Sequence, residues 1–349
     1  GSQTALSNRN LIINGAMQVY QRGSQSGVRN TYAVDRFKLL GSGSQLFTYS
    51  QSTTVPSGEG FSYSAKLDVT TADTSVAAAD YQILRYIFEG QDLQHLKYGT
   101  SDAQSLTLQF WVRSPKTGTH IVELGHTDDS SFNSQSYTIA TANTWQKVTL
   151  TFDGYQTTSI TNDNTDSFRI TWWLMAGSNF TSGTLSSNTW HTTTANRAVG
   201  QVNIADSTSN DFYITGVQLE LGEQATPFEH RSYGDELARC QRYFARITDS
   251  TVSNMGLGVA HGLDNDTSTI DFFAPVRPMR ISMTVSVSAT SHINVNTAQI
   301  AASATSISFS NQSHHTTRAT IDHQAASGSS GGGRLIRFNS SSGYIDMDA

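Results

Sequence analysis

The segment DFYITGVQLELGEQATPFEHRSYGDELARCQRYF, residues 211–244, joins a β-type pattern to a short helical pattern. Large apolar residues recur at nearly every second position of its first half: Phe212, Ile214, Val217, Leu219 and Leu221. Gly216 stands where a β-bulge would shift the phase of this alternation. The pattern predicts the closing strand of a sheet, which Gly222 and Pro227 end.

The second half of the segment predicts a short amphipathic helix. Ser232 and Asp235 have capping-box spacing, and Leu237, Cys240 and Phe244 fall at i, i+3 and i+7 on one helical stripe. A helix this short does not stand alone. We therefore expect it to connect one module with the next.

This junction resembles one near the C-terminal part of many bacteriophage tail-fibre and virion-attachment proteins, where a VQLE-LG segment, an A-T-P-F-E turn and an R-C-Q-R-Y-F helix follow one another. NLIINGAMQVYQRG (residues 10–23) and YAVDRF (32–37) resemble the opening strand of the β-sandwich that precedes it there, and FFAPVRPM (272–279) matches more thinly. Two motifs in the expected order are more specific than either alone. The resemblance implies a virion surface protein that assembles as a homotrimer with other virion proteins.

Strand patterns fill the chain between the two motifs. SLTLQFWVR (105–113), WQKVTLTF (145–152) and FRITWWLM (168–175) all alternate with period 2. Residues 120–124 follow a turn after the first of these and predict a hairpin with it. Residues 80–94 fit a helix nearly as well as a strand, and we favour a strand. Many short strands separated by polar turns predict an antiparallel two-sheet sandwich, and their order resembles the jelly roll of carbohydrate-binding modules.

The expected fold is therefore all-β, with four regions. Residues 1–9 form a tag scar (Gly1-Ser2) and an N-terminal arm, 10–229 a jelly-roll carbohydrate-binding-like domain, 230–246 the helical connector and 247–349 a smaller β tip domain. The tip shows strand patterns at 269–274, 280–287, 306–310 and 335–338, and a flexible SGSSGGG run at 327–333. Its few large apolar residues predict a core that is buried between chains of a trimer.

Composition narrows the function classes. Only 14% of the 349 residues are charged and the net charge is −6, so the chain lacks the basic footprint of a nucleic-acid-binding protein. No apolar run reaches the length of a membrane span, and we expect no membrane insertion. Cys240 is the single cysteine, which excludes an intrachain disulfide and predicts a buried thiol.

Acidic residues in loops raise the question of glycan cleavage, which needs two carboxylates across a sugar bond. Asp128 with Asp129, Asp163 with Asp166, and Asp264 with Asp266 all stand in polar turns, where Asp ordinarily accepts turn hydrogen bonds. We favour that interpretation and expect no enzymatic activity. A C-terminal group of His314, His315, Asp322 and His323 is a metal or acid-base alternative to ordinary surface histidines.

The resemblance also raises a structural calcium ion, because sandwich modules of this kind often hold one near their first and last strands. The candidate ligands there are Asn14, Asp35, Asp211 and Glu220. Gln18 stands where the resembling modules commonly carry a carboxylate, and a neutral ligand weakens a calcium site. We therefore expect no cofactor and keep calcium as the alternative.

Strand alternation gives the glycan-binding candidates. If Phe110, Val112, Ile170 and Trp172 face the core, then the outer faces carry Gln109, Trp111, Arg113, Arg169 and Trp173. Exposed indoles stack on pyranose rings, and Arg and Gln supply planar donors to hydroxyls. The alternative is that a loop or a neighbouring subunit covers these tryptophans. Trp190 and His191, in a polar loop, are weaker candidates.

The sequence thus predicts a non-enzymatic phage virion protein, a tail fibre or similar part, which attaches to the host by binding its surface polysaccharide. One alternative is a structural or decorating virion protein that makes no receptor contact. Another is a carbohydrate-binding module of a secreted protein.

Overall fold

A computed structural model describes residues 9–248 without a gap, and then 256–262, 267–273, 279–280, 284–287, 289, 293–296, 301–310, 316–323, 333–338 and 344–348. The chain divides into two compact units, Gly1–Glu236 and Leu237–Ala349. Strands hold 44% of the residues and helices 9%, which confirms the all-β prediction. No helix in the described parts has the length and apolar character that a membrane crossing requires.

The strands of the first unit, in chain order, are β1 (Gln25–Val28), β2 (Thr31–Tyr32), β3 (Phe37–Ser42), β4 (Leu46–Ser52), β5 (Ser64–Thr71), β6 (Tyr81–Glu89), β7 (Leu106–Arg113), β8 (Gly118–His126), β9 (Ser131–Ile139), β10 (Gln146–Phe152), β11 (Asp166–Ala176), β12 (Trp190–His191) and β13 (Asp211–Leu221). A one-turn helix, α1 (Ser178–Thr181), follows β11.

These strands form the two antiparallel sheets of a sandwich. The six-stranded sheet has the order β1-β4-β5-β13-β7-β10 and the seven-stranded sheet the order β12-β9-β8-β11-β6-β3-β2. Phe110 and Val112 from one sheet and Ile170 and Trp172 from the other are fully buried in the core between them. The inward face predicted from strand alternation is confirmed, because burial of one face requires side chains of period 2.

One predicted strand pairing is wrong. Strand β7 pairs with β10 and β13 in the six-stranded sheet, whereas β8 pairs with β9 and β11 in the other sheet. The turn around Pro115 and Gly118 therefore crosses from one sheet to the other and does not close a hairpin. A short polar turn has the same sequence pattern in a hairpin and in a crossover between two sheets. The ambiguous segment at 80–94 contains β6, as favoured, followed by two short 3-10 turns.

The motif at 10–23 is not the opening strand that the resemblance implies. It has no strand structure, and Asn14 has a left-handed backbone with φ of 63°. The segment instead lies along β13, where Val217 N donates to Gly15 O at 2.9 Å. A Cβ on Gly15 would lie 2.1 Å from Val217 O, so this close approach requires glycine.

Side chains of both motifs hold this contact together. Asn10 Oδ1 accepts from Leu219 N at 3.1 Å. Arg231 donates through Nη1 to Ile12 O at 2.9 Å and through Nη2 to Glu229 Oε2 at 3.2 Å. The two motifs, about two hundred residues apart in sequence, therefore form one structural clamp.

The helix of the junction is α2 (Tyr233–Cys240), and Asp235 N donates to Ser232 Oγ at 3.3 Å as the capping pattern predicts. Cys240 is buried, as predicted. Phe244 is not on the helical stripe as predicted, because it begins the next strand. Three residues after the helix are enough for the chain to change from period 3.6 to period 2.

The described strands of the second unit are β14 (Phe244–Thr248), β15 (Gly256–Gly262), β16 (Thr267–Phe273), β17 (Thr284–Val287), β18 (Ile293–Asn296), β19 (Ala301–Ser310), β20 (Thr316–His323), β21 (Gly333–Phe338) and β22 (Tyr344–Asp348). Strands β15-β16-β20-β19-β18-β21 close into a barrel, and β14-β22-β17 form a small sheet. Each predicted tip strand overlaps one of these. Of the SGSSGGG run, residues 327–332 lie outside the described residues.

Candidate functional site

A cleft of about 530 Å³ opens on the outer face of the six-stranded sheet. We call it the sheet-face cleft. Its lining combines the middle of β7, the bulge of β13, the start of β10 and two loops: Glu59, Phe61, Gln109, Trp111, Lys147, Gly216, Ala225, Thr226, Pro227, Phe228 and His230. Gln109 and Trp111, predicted from alternation to share an outer face, lie together in this cleft.

The bulge of β13 makes room for the cleft. The register shifts between Thr215, opposite Trp111, and Gln218, opposite Gln109, so the predicted bulge is confirmed. Gly216 has φ of 62°, and a Cβ there would lie 2.6 Å from Phe61 Cζ and 3.0 Å from Trp111 Cδ1. Glycine therefore permits both the backbone turn and the close approach of the two rings.

The loop after β13 folds back over the outer face and forms one wall. Glu220 anchors it, because its Oε1 accepts from Thr226 N at 2.8 Å and its Oε2 from Thr226 Oγ1 at 2.6 Å. Gln218 Oε1 accepts from Glu229 N at 2.8 Å. The polar outer side chains of the VQLE sequence thus bind the A-T-P-F-E turn. Gln218 and Glu220 thus hold the loop that forms the cleft wall, and their side chains are not available to contact a ligand.

Aromatic side chains supply the apolar surface. The ring centroids of Phe61 and Phe228 lie 5.0 Å apart, and those of Phe228 and His230 lie 4.9 Å apart. Trp111 is partly exposed beside them, and His230 is exposed. The strand alternation in the sequence predicted only Trp111, because Phe61, Phe228 and His230 lie in loops. The A-T-P-F-E-H segment, recognised as a structural turn, contains two of them.

Gln109 supplies a directed polar group. The residue is 1% exposed, and its Nε2 donates to Thr226 O at 2.7 Å. Its Oε1 is buried and has no hydrogen-bond partner among the described residues. A buried carbonyl oxygen without a donor is unfavourable by about 1–3 kcal/mol. Lys147 and Glu59, both exposed, add a donor and an acceptor at the edge.

Such an arrangement suits a neutral, hydroxyl-rich ring. An indole edge and phenyl rings cover the apolar face of a pyranose, while the amide, ammonium and carboxylate groups pair with hydroxyls around its rim.

The structure separates the other predicted glycan residues from this cleft. Arg113 lies on the same face, but its Nε donates to Asn143 O at 2.9 Å and its guanidinium stacks 4.9 Å from the Tyr213 ring. Arg169 lies on the opposite sheet and is paired with Asp166 at 2.6 Å. Only two of the five predicted residues therefore share a site.

The prediction that Trp173 is an exposed glycan-binding residue is wrong. It faces outward from the seven-stranded sheet as predicted, yet it is only 1% exposed. Phe180, Leu185 and Ala198 pack over it in a small second cluster. The alternative that a loop covers this tryptophan is confirmed, because the chain between β11 and β13 folds back over the sheet.

A second cleft, of about 750 Å³, lies at one edge of the sandwich and includes Trp190, His191 and Tyr155 in its lining. Trp190 is held by its Nε1 donating to Asp153 O at 2.8 Å, and its ring lies 4.7 Å from that of Tyr155. The indole thus packs on the core and offers little free face for stacking. We place the candidate site in the smaller sheet-face cleft for this reason.

The four calcium candidates do not meet at one site. Asn14 and Asp35 touch, because Asn14 Nδ2 donates to Asp35 O at 3.0 Å. Asp211 and Glu220 stand nine positions apart on β13, roughly 30 Å along an extended strand. Asp35 accepts from Gln21 N at 2.8 Å, and Glu220 holds the loop described above. Within the described residues no three acidic, His or Cys side chains gather as a metal site.

Two of the loop carboxylates accept turn hydrogen bonds, as favoured: Asp129 Oδ1 from Ser131 N at 3.1 Å and Asp163 Oδ1 from Thr165 N at 2.8 Å. The other two do not, because Asp128 Oδ2 accepts from the distant Thr161 N at 2.8 Å and Asp166 pairs with Arg169. Asp264 and Asp266 lie outside the described residues, as do His314 and His315. Asp322 and His323 lie on β20.

No family model matches the chain, and no curated protein matches it. Among solved structures it is similar to the enzymatically active domain of tailspike protein 4 of bacteriophage CBA120, at 14% identity and TM-score 0.34, over 61% of this chain and 22% of that one. It is also similar to the family 11 carbohydrate-binding module of the Clostridium thermocellum cellulase Lic26A-Cel5E, at 12% identity and TM-score 0.27, over 58% of this chain and 97% of that one. Similarity at this low level does not indicate a function, so the functional argument rests on the chain's own residues.

Proposed function

We propose that the chain is a non-enzymatic attachment protein of a bacteriophage virion, a tail fibre or similar part, that binds a host surface glycan in the sheet-face cleft. The observation that carries the glycan part is the partly exposed indole of Trp111, which shares the cleft with the exposed Lys147 and Glu59. An aromatic surface with a donor and an acceptor at its edge suits a hydroxyl-bearing ring.

The phage part rests on the two sequence motifs that form the clamp between residues 10–23 and the junction. In this proposal the chain is a homotrimer that contacts other virion proteins. A shallow cleft binds one sugar weakly, and three copies on one particle multiply that affinity. Host polysaccharide, rather than a small free sugar, is therefore the expected ligand.

The screen that tests this uses an array of bacterial surface polysaccharides and the intact protein. We expect saturable, selective binding to a small set of neutral or mixed glycans. Absence of binding to every glycan, together with capture by purified virion proteins, would contradict the proposal and favour the structural or decorating role. Selective glycan binding by a stable monomer would favour the secreted binding module instead.

A further inference from the structure

Two connections of the first unit meet where β3 ends and β6 begins. Residues 43–45 join β3 to β4, and residues 72–80 join β5 to β6. They come together because β3 and β6 are neighbours in the seven-stranded sheet. Gln45 lies in the first connection and Asp73 and Asp80 lie in the second, and we call these three residues the turn cluster. None of the four calcium candidates from the sequence belongs to it.

The three side chains of the turn cluster converge beside Gly43. The position that a Cβ of Gly43 would take lies 2.4 Å from Gln45 Oε1 and 3.2 Å from Asp73 Oδ2. The same position lies 3.3 Å from Asp80 Cγ. Gly43 has φ of 121°, which favours glycine, and a side chain there would displace the oxygens. One amide oxygen and two carboxylates therefore gather around a single point.

The amide of Gln45 is fixed with its oxygen toward this point. Gln45 is fully buried, and its Nε2 donates to Gln82 Oε1 at 2.9 Å. The same nitrogen donates to Ser42 O at 3.0 Å and to Tyr81 O at 3.3 Å. Because backbone carbonyl oxygens only accept, these contacts hold Nε2 on their side and turn Oε1 toward the carboxylates. Oε1 is buried and meets no donor among the residues that the structure describes.

Backbone contacts hold the two carboxylates in place. Asp73 Oδ2 accepts from Ser44 N at 3.2 Å, and its Oδ1 accepts from Ser75 N at 3.1 Å. Asp80 is held through its main chain, because Gly177 N donates to Asp80 O at 2.7 Å. The oxygens of the cluster are thus positioned by groups that lie outside it.

The negative charge of the turn cluster is not neutralised by a side chain. In the described part of the chain no Lys, Arg or His forms an ion pair with Asp73 or Asp80. Arg29 is close, but its Nη1 donates to Gly43 O. A buried acceptor that faces two carboxylates is unfavourable unless a cation lies among them. Carboxylate and amide oxygens are the ligands that calcium prefers, and calcium accepts irregular geometry more readily than magnesium does.

We propose that the turn cluster binds a calcium ion through Gln45 Oε1 and the carboxylates of Asp73 and Asp80, with water completing the coordination. The ion joins the β3–β4 turn to the β5–β6 connection. It also secures the loop before β13, because Asn203 Nδ2 donates to Asp73 O at 2.8 Å and Asp73 N donates to Ala205 O at 2.8 Å. The role of the ion is structural and does not depend on glycan binding.

The test is a calorimetric titration of the intact protein with calcium chloride, after a chelator has removed bound metals, at physiological ionic strength. We expect a dissociation constant of roughly 10⁻⁴–10⁻³ M, as in extracellular calcium modules, and weaker binding of magnesium. Asp80→Asn keeps the size of a half-buried side chain and removes one anionic ligand, so it should weaken calcium binding roughly tenfold or more. Asp102→Asn removes the same charge from an exposed position in the loop after β6. This matched control should leave calcium binding unchanged.

Thermal unfolding gives a second measurement. Because calcium binds the folded state, the unfolding midpoint should rise with calcium concentration in the unmodified protein and in Asp102→Asn, and rise much less in Asp80→Asn. Asp73→Asn should lose the same calcium response, whatever its stability without calcium. The absence of calcium binding, equal affinity for magnesium, or an unchanged calcium response in both Asp80→Asn and Asp73→Asn would overturn the proposal.

Discussion

At the scale of single residues, glycine and tryptophan determine what the outer faces can do. Trp111 and Trp173 both point outward from their sheets, yet one lines a cleft and the other is covered. Trp173 is covered because a loop folds over its strand, whereas Trp111 is not. The alternation of residues within a strand does not predict which loop will cover it. Gly216 allows Trp111 to line the cleft, because a side chain at this position would clash with Phe61 and Trp111.

Gly216→Ala tests that role against a matched glycine. Gly27 also sits at a register shift, with φ of 66° compared with 62° at Gly216, but nothing lies within 4 Å of its Cβ position. Gly27→Ala should lower the free energy of unfolding by about 1 kcal/mol, the strain of a left-handed alanine. Gly216→Ala adds the clash with two rings and should lower it by about 3 kcal/mol. Urea denaturation measures both, and equal losses would contradict the steric role.

Trp173→Ala should act on stability alone. The side chain is buried beneath Phe180, Leu185 and Ala198, so its removal leaves a large cavity and should lower the free energy of unfolding by about 3–5 kcal/mol. Glycan binding at 15 °C, well below the unfolding transition, should match that of the unmodified protein. A loss of glycan binding without a loss of stability would show that Trp173 contacts the ligand after all.

At the scale of elements, the clamp between residues 10–23 and the junction holds the start of the first unit against its last strand. Arg231 is its centre, with donor contacts to Ile12 O, Glu229 and Glu236. Because the side chain is nearly buried, its loss leaves two carboxylates without their cation. Surface pairs such as Lys66 with Asp68 lack this property.

Arg231→Ala should therefore lower the free energy of unfolding by about 3 kcal/mol, and Lys66→Ala by less than about 1 kcal/mol. Hydrogen exchange should locate the effect, with faster exchange at the amides of residues 11–17 in Arg231→Ala. Unchanged exchange in that segment would mean that the clamp is held by its backbone contacts alone.

Strand β8 makes the sandwich sensitive to mild acid. Burial lowers the pKa of His120 to about 4, against about 6.5 in an unfolded chain. The unfolded state thus binds the proton first, so stability falls as the pH drops from about 6.5 to 4, by about 3 kcal/mol in total. His120→Phe keeps a ring against Tyr137 and removes the titration. Its unfolding midpoint should vary less between pH 7 and 4, and an identical pH dependence in both proteins would contradict this origin.

Strand positions were predictable from the sequence where one face is buried. β7, β10, β11 and β13 all alternate, and each prediction missed the observed ends by at most two residues. Pairing was not predictable at the turn around Pro115, since the same turn serves a hairpin and a crossover. The cleft was half predictable: Gln109 and Trp111 follow from alternation, but Phe61, Phe228 and His230 reach it from loops whose paths depend on distant contacts.

At the scale of the whole molecule, the proposed attachment role requires several copies to act together. The chain has a mass of 37.9 kDa. We predict a solution mass near three times this value for the intact protein, independent of dilution in the micromolar range, measured by light scattering. A stable monomer would contradict the trimer and would favour the detached binding module.

The central claim is that the sheet-face cleft binds glycan through Trp111. The direct measurement is the calorimetric affinity of the best polysaccharide from the array for the intact protein, for Trp111→Ala and for Trp145→Ala. Trp145 is a partly buried tryptophan beside the same sheet that packs against Tyr213 and does not line the cleft. Because truncating a tryptophan that anchors a ligand costs more than about 1 kcal/mol, Trp111→Ala should weaken binding at least about fivefold while Trp145→Ala leaves it unchanged. Equal affinity in all three proteins would contradict the claim.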